Sequence, residues 1–314
     1  MRARPRLPLR VTSPVTQAYL LCVVVVVLYA GNILTGKALD HLPPITISFT
    51  RLVIAFVVLL PIGGRSAWRA RRTFVERAGP LLLMSATGVA LFTSLIYAAL
   101  GHTSATNVSV LEALIPAATV GLGVVVLGER LRPLQWVGLA VSFTGAVTVV
   151  LEGDLAALDL NPGDAIMVAA VACWAVYSVA VRRHLHHFPA FGALLVMTGL
   201  AIALLLPLVV AEWVAVGGVP LGTGPHWWGL VYLGVFPSVV ALAFYNRAVA
   251  VLGPSRTATF LNFLPVATML GAVTLLGERI SGAQVLGAAL VMGGVFLTLR
   301  SGPRRDPQVQ GSGS

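Results

Sequence analysis

Residues 116–130 read PAATVGLGVVVLGER, and residues 265–279 read PVATMLGAVTLLGER. The second stretch lies 149 positions after the first. The same offset sets Pro116 on Pro265, Ala118 on Ala267, Thr119 on Thr268 and Leu127 on Leu276. It carries on past the shared Gly-Glu-Arg to match Gln135 with Gln284, Gly138 with Gly287, Ala140 with Ala289 and Gly145 with Gly294. Two helices rich in Leu, Val and Ala share some positions by chance. They do not by chance share the run Leu-Gly-Glu-Arg with a proline eleven residues ahead of it in both copies. The chain therefore reads as a duplication.

What is duplicated follows from composition. Of 314 residues, 57% are hydrophobic and 10% charged, and the mean hydropathy is +0.91. A soluble domain carries about 25% charged residues, and no soluble core buries apolar runs this long and numerous. The runs fall at 17–36, 45–63, 79–100, 105–126, 133–151, 163–182, 190–210, 226–248, 256–276 and 282–299. Each approaches the roughly 20 residues that a spanning helix needs, and helix is the form that satisfies its own backbone in hydrocarbon. The expected fold is all-α and integral to the membrane, with ten transmembrane helices. Five spans per half is an odd number, so the second copy enters the bilayer from the opposite side. The expected organisation is a basic N-terminal tail (1–16), a first repeat (17–151), an acidic outer linker (152–162), a second, inverted repeat (163–300) and a C-terminal tail (301–314). Inverted repeats are the architecture of alternating-access carriers, with the site near the midplane between the halves.

The formal charge of +10 is a topology signal. Arg2, Arg4, Arg6 and Arg10 precede the first run, Arg65, Arg69, Arg71, Arg72 and Arg77 fill one loop, and Arg300, Arg304 and Arg305 follow the last run. The alternate loops carry acids instead: Asp40, Glu152, Asp154, Asp159, Asp164, Glu212 and Glu278. Basic loops stay in the cytoplasm, so both termini are expected there and no nucleic-acid partner is implied. The Arg-rich start with its Val-rich run reads as a retained first helix rather than a cleaved signal. Cys22 and Cys173 both lie inside apolar runs and offer neither a disulfide framework nor metal spacing. His184, His186 and His187 sit in a basic loop and read as solvated, so no metal and no cofactor are expected.

Within the spans, few residues carry chemistry. Pro116 and Pro265 occupy matching places in the fourth and ninth runs, where a proline cannot donate to the carbonyl four residues earlier. They are expected to kink both helices. Glu112 stands seven residues into the fourth run, roughly 10 Å deep at about 1.5 Å per residue. An ionisable group there marks a pathway, a proton relay or an ion pair. Arg51 lies at similar depth, so an Arg51–Glu112 pair and a substrate- or proton-handling Glu112 are both open readings. Asn32, Tyr97, Trp174, Tyr177, Asn246 and Asn262 recur across several spans. They suit a pocket with aromatic walls and a few placed polar groups, or else polar glue between helices. Trp227, Trp228 and Tyr232 read as an interfacial belt. Gly138 with Ser142, and Ala289 with Gly293, read as close-packing faces.

At these residues the chain resembles the EamA family of the drug/metabolite transporter superfamily. The resemblance is carried by Tyr29-Ala-Gly-Asn32 with Lys37, by Pro44 and Arg51, and by the in-helix proline and Gly-Glu-Arg of each half. Tyr245-Asn-Arg-Ala248 adds to it, and the likeness covers about 17–300. It implies a ten-helix carrier of the bacterial inner membrane, many of whose relatives export amino acids, one branch of them aromatic ones. It also implies a cavity between the halves lined by the first, third, fourth, sixth, eighth and ninth spans. Where the family often has Trp-Gly early in helix one, this chain has Tyr29-Ala30-Gly31.

The function expected is secondary export of small metabolites such as amino acids, working as a monomer in the lipid bilayer. Drug efflux and a channel are the alternatives. No His-Glu-x-x-His zinc motif and no Gly-x-Ser-x-Gly elbow points to an enzyme, and no nucleotide-binding loop points to an ATP-driven pump.

Overall fold

In the computed structural model, residues 14–127, 132–150, 161–222, 224–252, 260–261 and 263–300 are described, and all regular structure among them is helical. The helices are α1 (Pro14–Ala38), α2 (Pro44–Arg69), the short α3 (Arg71–Glu76), α4 (Ala78–Leu100), α5 (Ala105–Glu112), α6 (Ile115–Leu127) and α7 (Pro133–Val150). They continue with α8 (Pro162–His184), α9 (Ala190–Ala215), α10 (226–252), α11 (Leu264–Leu276) and α12 (Gly282–Arg300). Seven stretches are long and apolar enough to cross a bilayer, whereas Pro133–Val149, Leu264–Leu276 and Gly282–Thr298 are apolar but shorter. Leu20, Val27, Leu60, Phe143, Leu206 and Leu286 are all exposed on the outside of the bundle. With no polar shell over them, these faces belong in lipid. The chain is a multi-pass membrane protein.

Helix ends are closed by residues far away in sequence. The Glu212 carboxylate accepts from the backbone N–H of Ile45 (3.1 Å) and Thr46 (2.8 Å) at the start of α2. Glu278 does the same for Ala105 (2.8 Å) at the start of α5 and also accepts from the Thr106 hydroxyl (3.0 Å). Both place negative charge where a helix N-terminus has free donors and a positive dipole end. Glu278 can do so because Gly277 turns left-handed (φ 68°) and ends α11 beside it. At the other polarity, Lys37 donates to the carbonyl of Leu100 (2.7 Å), the last residue of α4.

The two proline sites are built alike. The helix stops at Glu112 and restarts at Ile115; the second segment starts at Leu264. Leu114 N–H donates to Leu111 (3.0 Å) and Phe263 N–H to Phe260 (3.0 Å), each a tight turn at the matching position. Pro116 and Pro265 thus lie in the first turn of a new helix, where a missing N–H costs nothing.

Four antiparallel pairings organise the bundle: α2 with α9, α7 with α12, α1 with α10, and α4 with α8. The α7–α12 seam is the tightest. A Cβ on Gly138 would lie 2.6 Å from the carbonyl oxygen of Gly294, and one on Gly145 would lie 2.7 Å from that of Gly287. Ser142 Oγ donates to the carbonyl of Val291 in the middle (3.4 Å). The faces that pack are therefore Gly138/Gly145 and Gly287/Gly294. The expected Ala289/Gly293 face points outward, and a Cβ on Gly293 would meet nothing within 4 Å. The reason is register: 287 and 294 are two turns apart on the side of α12 that meets α7.

Two further expectations need correcting. Trp228 is 80% exposed, but Tyr232 turns inward, donates to the carbonyl of Leu28 (3.2 Å) and lies over Gly31. Asp164 is not a solvated loop acid. It is 2% exposed in the first turn of α8 and accepts from the Thr103 hydroxyl (2.8 Å). Asn107 donates to that same hydroxyl (3.2 Å) and accepts from Gln284 (2.7 Å), tying α5, α8 and α12 together.

Candidate functional site

α2 turns Thr46, Ser48, Thr50 and Arg51 to the interior. Arg51 is 7% exposed, and its guanidinium is held by three helices. Nη1 donates to Asn32 Oδ1 of α1 (3.0 Å) and to the Tyr97 hydroxyl of α4, and Nη2 donates to Ser238 Oγ of α10 (2.7 Å). Tyr97 in turn donates to Asn32 Oδ1 (3.0 Å) and lies with its ring 5.6 Å from the guanidinium carbon. Tyr97 reaches this place because Gly36 of α1 has no Cβ, which would stand 2.7 Å from the ring. Ser238 reaches it because α10 widens to a π-type turn over Phe236–Val240, where the hydroxyl also bonds the carbonyl of Leu233 (2.8 Å). Such turns recur at functional sites.

The aromatic wall is separate. Trp174 of α8 sits 4.3 Å from Phe92 and 4.9 Å from Tyr177, ring centre to ring centre. Tyr177 fills the space over Gly88, which a Cβ would close. The two groups share one apolar core, where Tyr29 and Trp174 pack against the cluster that holds Tyr97 and Phe92. The structure thus brings Asn32, Tyr97, Glu112, Trp174 and Tyr177 into one neighbourhood. Asn262 and the side chain of Asn246 lie outside the described residues, as do the Gly-Glu-Arg turn at 128–130 and most of the linker at 152–162.

The ion pair between Arg51 and Glu112 is not formed. Among the described residues the ion pair seen is Lys37–Asp40 (3.1 Å), at a helix end. Arg51's bonded donors are taken by three neutral acceptors. Its Nε and the Oε2 of Glu112 are both buried without a hydrogen-bond partner. Two positions that the sequence did not single out, Ser238 and Phe92, belong to the site. A serine one residue past Pro237 in an apolar run was the available signal for the first. Phe92 had none, since a phenylalanine in a span looks like any other. A hollow of about 550 Å³ opens elsewhere, between the end of α1 and the start of α10, lined by Leu34, Thr35, Leu39, His41, His226 and Leu276.

A multi-pass helical protein holding a buried cation, an acid with one buried oxygen and an aromatic wall among its spans belongs with the solute transporters. The family can be stated more narrowly. The EamA-like transporter family matches residues 16–151 and again 161–300, and the chain belongs to it. Membership makes it a transporter rather than an enzyme. The chain is 29% identical over 277 residues to a probable terminal-alkyne amino-acid exporter of Streptantibioticus cattleyicolor, covering 84% of this chain and 88% of that one. It is 26% identical to an uncharacterized transporter of Bacillus subtilis, YyaM, over 74% of this chain and 76% of the relative. It is 28% identical to the threonine/homoserine exporter RhtA of Salmonella typhimurium, over 60% of this chain and 62% of that one. A solved crystal structure superposes with TM-score 0.60 at 22% identity, covering 91% of this chain and 98% of that one, which fixes the fold alone.

Proposed function

We propose that this protein is a secondary exporter of small zwitterionic metabolites, amino acids first among them, that works by alternating access in the bacterial inner membrane. Its ten spans form two inverted halves, 17–151 and 163–300, with both termini in the cytoplasm. The observation that carries the reading is that Arg51 and Glu112 each keep a buried polar atom without a partner, in a bundle whose core also holds Tyr97, Phe92 and Trp174. Ionisable groups inside a membrane serve transport far more often than stability.

The inverted arrangement is supported by matching parts. The family matches each half separately. Arg132 N–H donates to Gln135 Oε1 at 2.9 Å, and Ser281 N–H to Gln284 Oε1 at 2.9 Å, 149 positions on. The α2–α9 and α7–α12 contacts join expected counterparts, as a twofold axis in the membrane plane requires. The amino-acid reading is supported by the names of the relatives from Streptantibioticus cattleyicolor and Salmonella typhimurium.

Counterflow tests it. Purified protein in proteoliposomes preloaded with an unlabelled L-amino acid should accumulate the same labelled amino acid transiently, whereas empty liposomes should not. Failure across all standard L-amino acids ends the amino-acid reading.

A further inference from the structure

We propose that Arg51 is the carboxylate-binding residue of this site and Glu112 its ammonium-binding residue, so that the solute must carry both charges. The inference rests on the amino-acid reading above and adds the residues that impose it. A guanidinium has five N–H donors. Asn32 and Tyr97 take two from Nη1, Ser238 takes one from Nη2, and Nε–H is left buried with no acceptor. Nη2 keeps a second hydrogen. Nε and Nη2 are the side of the fork on which arginine receives a carboxylate through two parallel bonds.

The three acceptors that hold Arg51 are all neutral. They come from α1, α4 and α10, so the fork is fixed in direction before any solute arrives. A cation left with neutral partners in a membrane interior is costly. Glu112 has the complementary defect: Oε2 is buried without a donor. The helix that ends at Glu112, α5, packs against α1 and α4, which carry two of the acceptors that hold Arg51, yet no ion pair joins the two residues. A solute that carries both an ammonium and a carboxylate satisfies both orphans at once. A lone amine or a lone acid satisfies one and leaves the other exposed. Trp174 and Phe92 supply an apolar face for its side chain.

The unmodified protein is sufficient for the decisive experiment. Proteoliposomes preloaded with L-phenylalanine, and a parallel set with L-threonine, are assayed for counterflow. Phenylalaninamide and phenethylamine, which lack the carboxylate, and 3-phenylpropanoate, which lacks the ammonium, are offered as competitors. Each should compete at least about tenfold more weakly than the amino acid, the loss expected when one charge-assisted contact worth about 1.4 kcal/mol is missing. Arg51→Lys should narrow the gap between phenylalanine and its amide, and Glu112→Gln should narrow the gap between phenylalanine and 3-phenylpropanoate. If the amide and the amine compete as well as phenylalanine, the Arg51 assignment is overturned while amino-acid export stands. If no standard amino acid exchanges at all, the functional reading fails and takes this one with it. Should Arg51→Lys not fold, the analogue series on the natural protein still decides.

Discussion

A Cβ on Gly145 would stand 2.7 Å from the carbonyl oxygen of Gly287, and a Cβ on Gly287 would stand 2.7 Å from the carbonyl oxygen of Gly145. The contact is reciprocal, and Gly138 with Gly294 repeats it further along the same two helices. With lipid outside, little hydrophobic force drives helix against helix, and close backbone approach supplies the van der Waals contact instead. Gly145→Val and Gly287→Val should each lower thermal stability in detergent by about 1–3 kcal/mol through overpacking. Gly293→Ala, on the outer face of α12, should change it by less than about 0.5 kcal/mol. A Gly145→Val protein that melts with the parent would show the seam to be looser than its geometry.

Glu278 ties α5 to the turn after α11, and Thr106 is its partner through both backbone and hydroxyl. Glu278→Ala removes a charged cap and should cost about 1–2 kcal/mol. Thr106→Val should cost less, and the double variant should cost less than the two singles added, because both remove the same bond. Melting curves of the three variants give the coupling, and strict additivity would count against the cap.

Much of this was legible in the sequence, for physical reasons that differ by residue. Pro116 and Pro265, Gln135 and Gln284, Gly138 and Gly287 announce the duplication because backbone breaks, caps and close approaches tolerate few substitutes. The partner of the Gly-Glu-Arg acid could not be read, since the turn at 277–278 lies 173 residues from Ala105. For Arg51 and Glu112 the sequence left a pair and separate roles both open, and no ion pair joins them. Depth follows from counting along a helix, whereas the choice of partner depends on which face each helix presents. Asp164 misled for the opposite reason: it sits at a span end, where a carboxylate is normally wet, but Thr103 reaches over it.

Topology should follow the arginines. In a background with Cys22 and Cys173 replaced, Arg71→Cys lies in the basic loop and Gly222→Cys in the loop between α9 and α10, both exposed. A membrane-impermeant thiol reagent added to intact cells should label position 222 and spare position 71 until the membrane is opened. The opposite pattern, or labelling at both positions, would remove the orientation with both termini inside.

The last prediction separates Arg51 from Glu112 by stability. Arg51 holds three hydrogen bonds to α1, α4 and α10. Bonds to a charged group are worth about 1.5–3 kcal/mol each, so Arg51→Gln should melt well below the parent. Glu112 makes no hydrogen bond through its buried oxygen. Glu112→Gln keeps the shape, removes only the charge, and should melt within about 1 kcal/mol of the parent. Its counterflow should nevertheless fall by roughly a hundredfold, about 2.7 kcal/mol, if the ammonium of the solute needs a carboxylate here. The double variant tells the two roles apart. Were the residues a structural pair, removing the second charge would restore the stability lost with the first. Since they are not bonded, the double variant should melt no higher than Arg51→Gln alone. Recovery of stability, or normal counterflow through Glu112→Gln, would return Glu112 to a purely structural place.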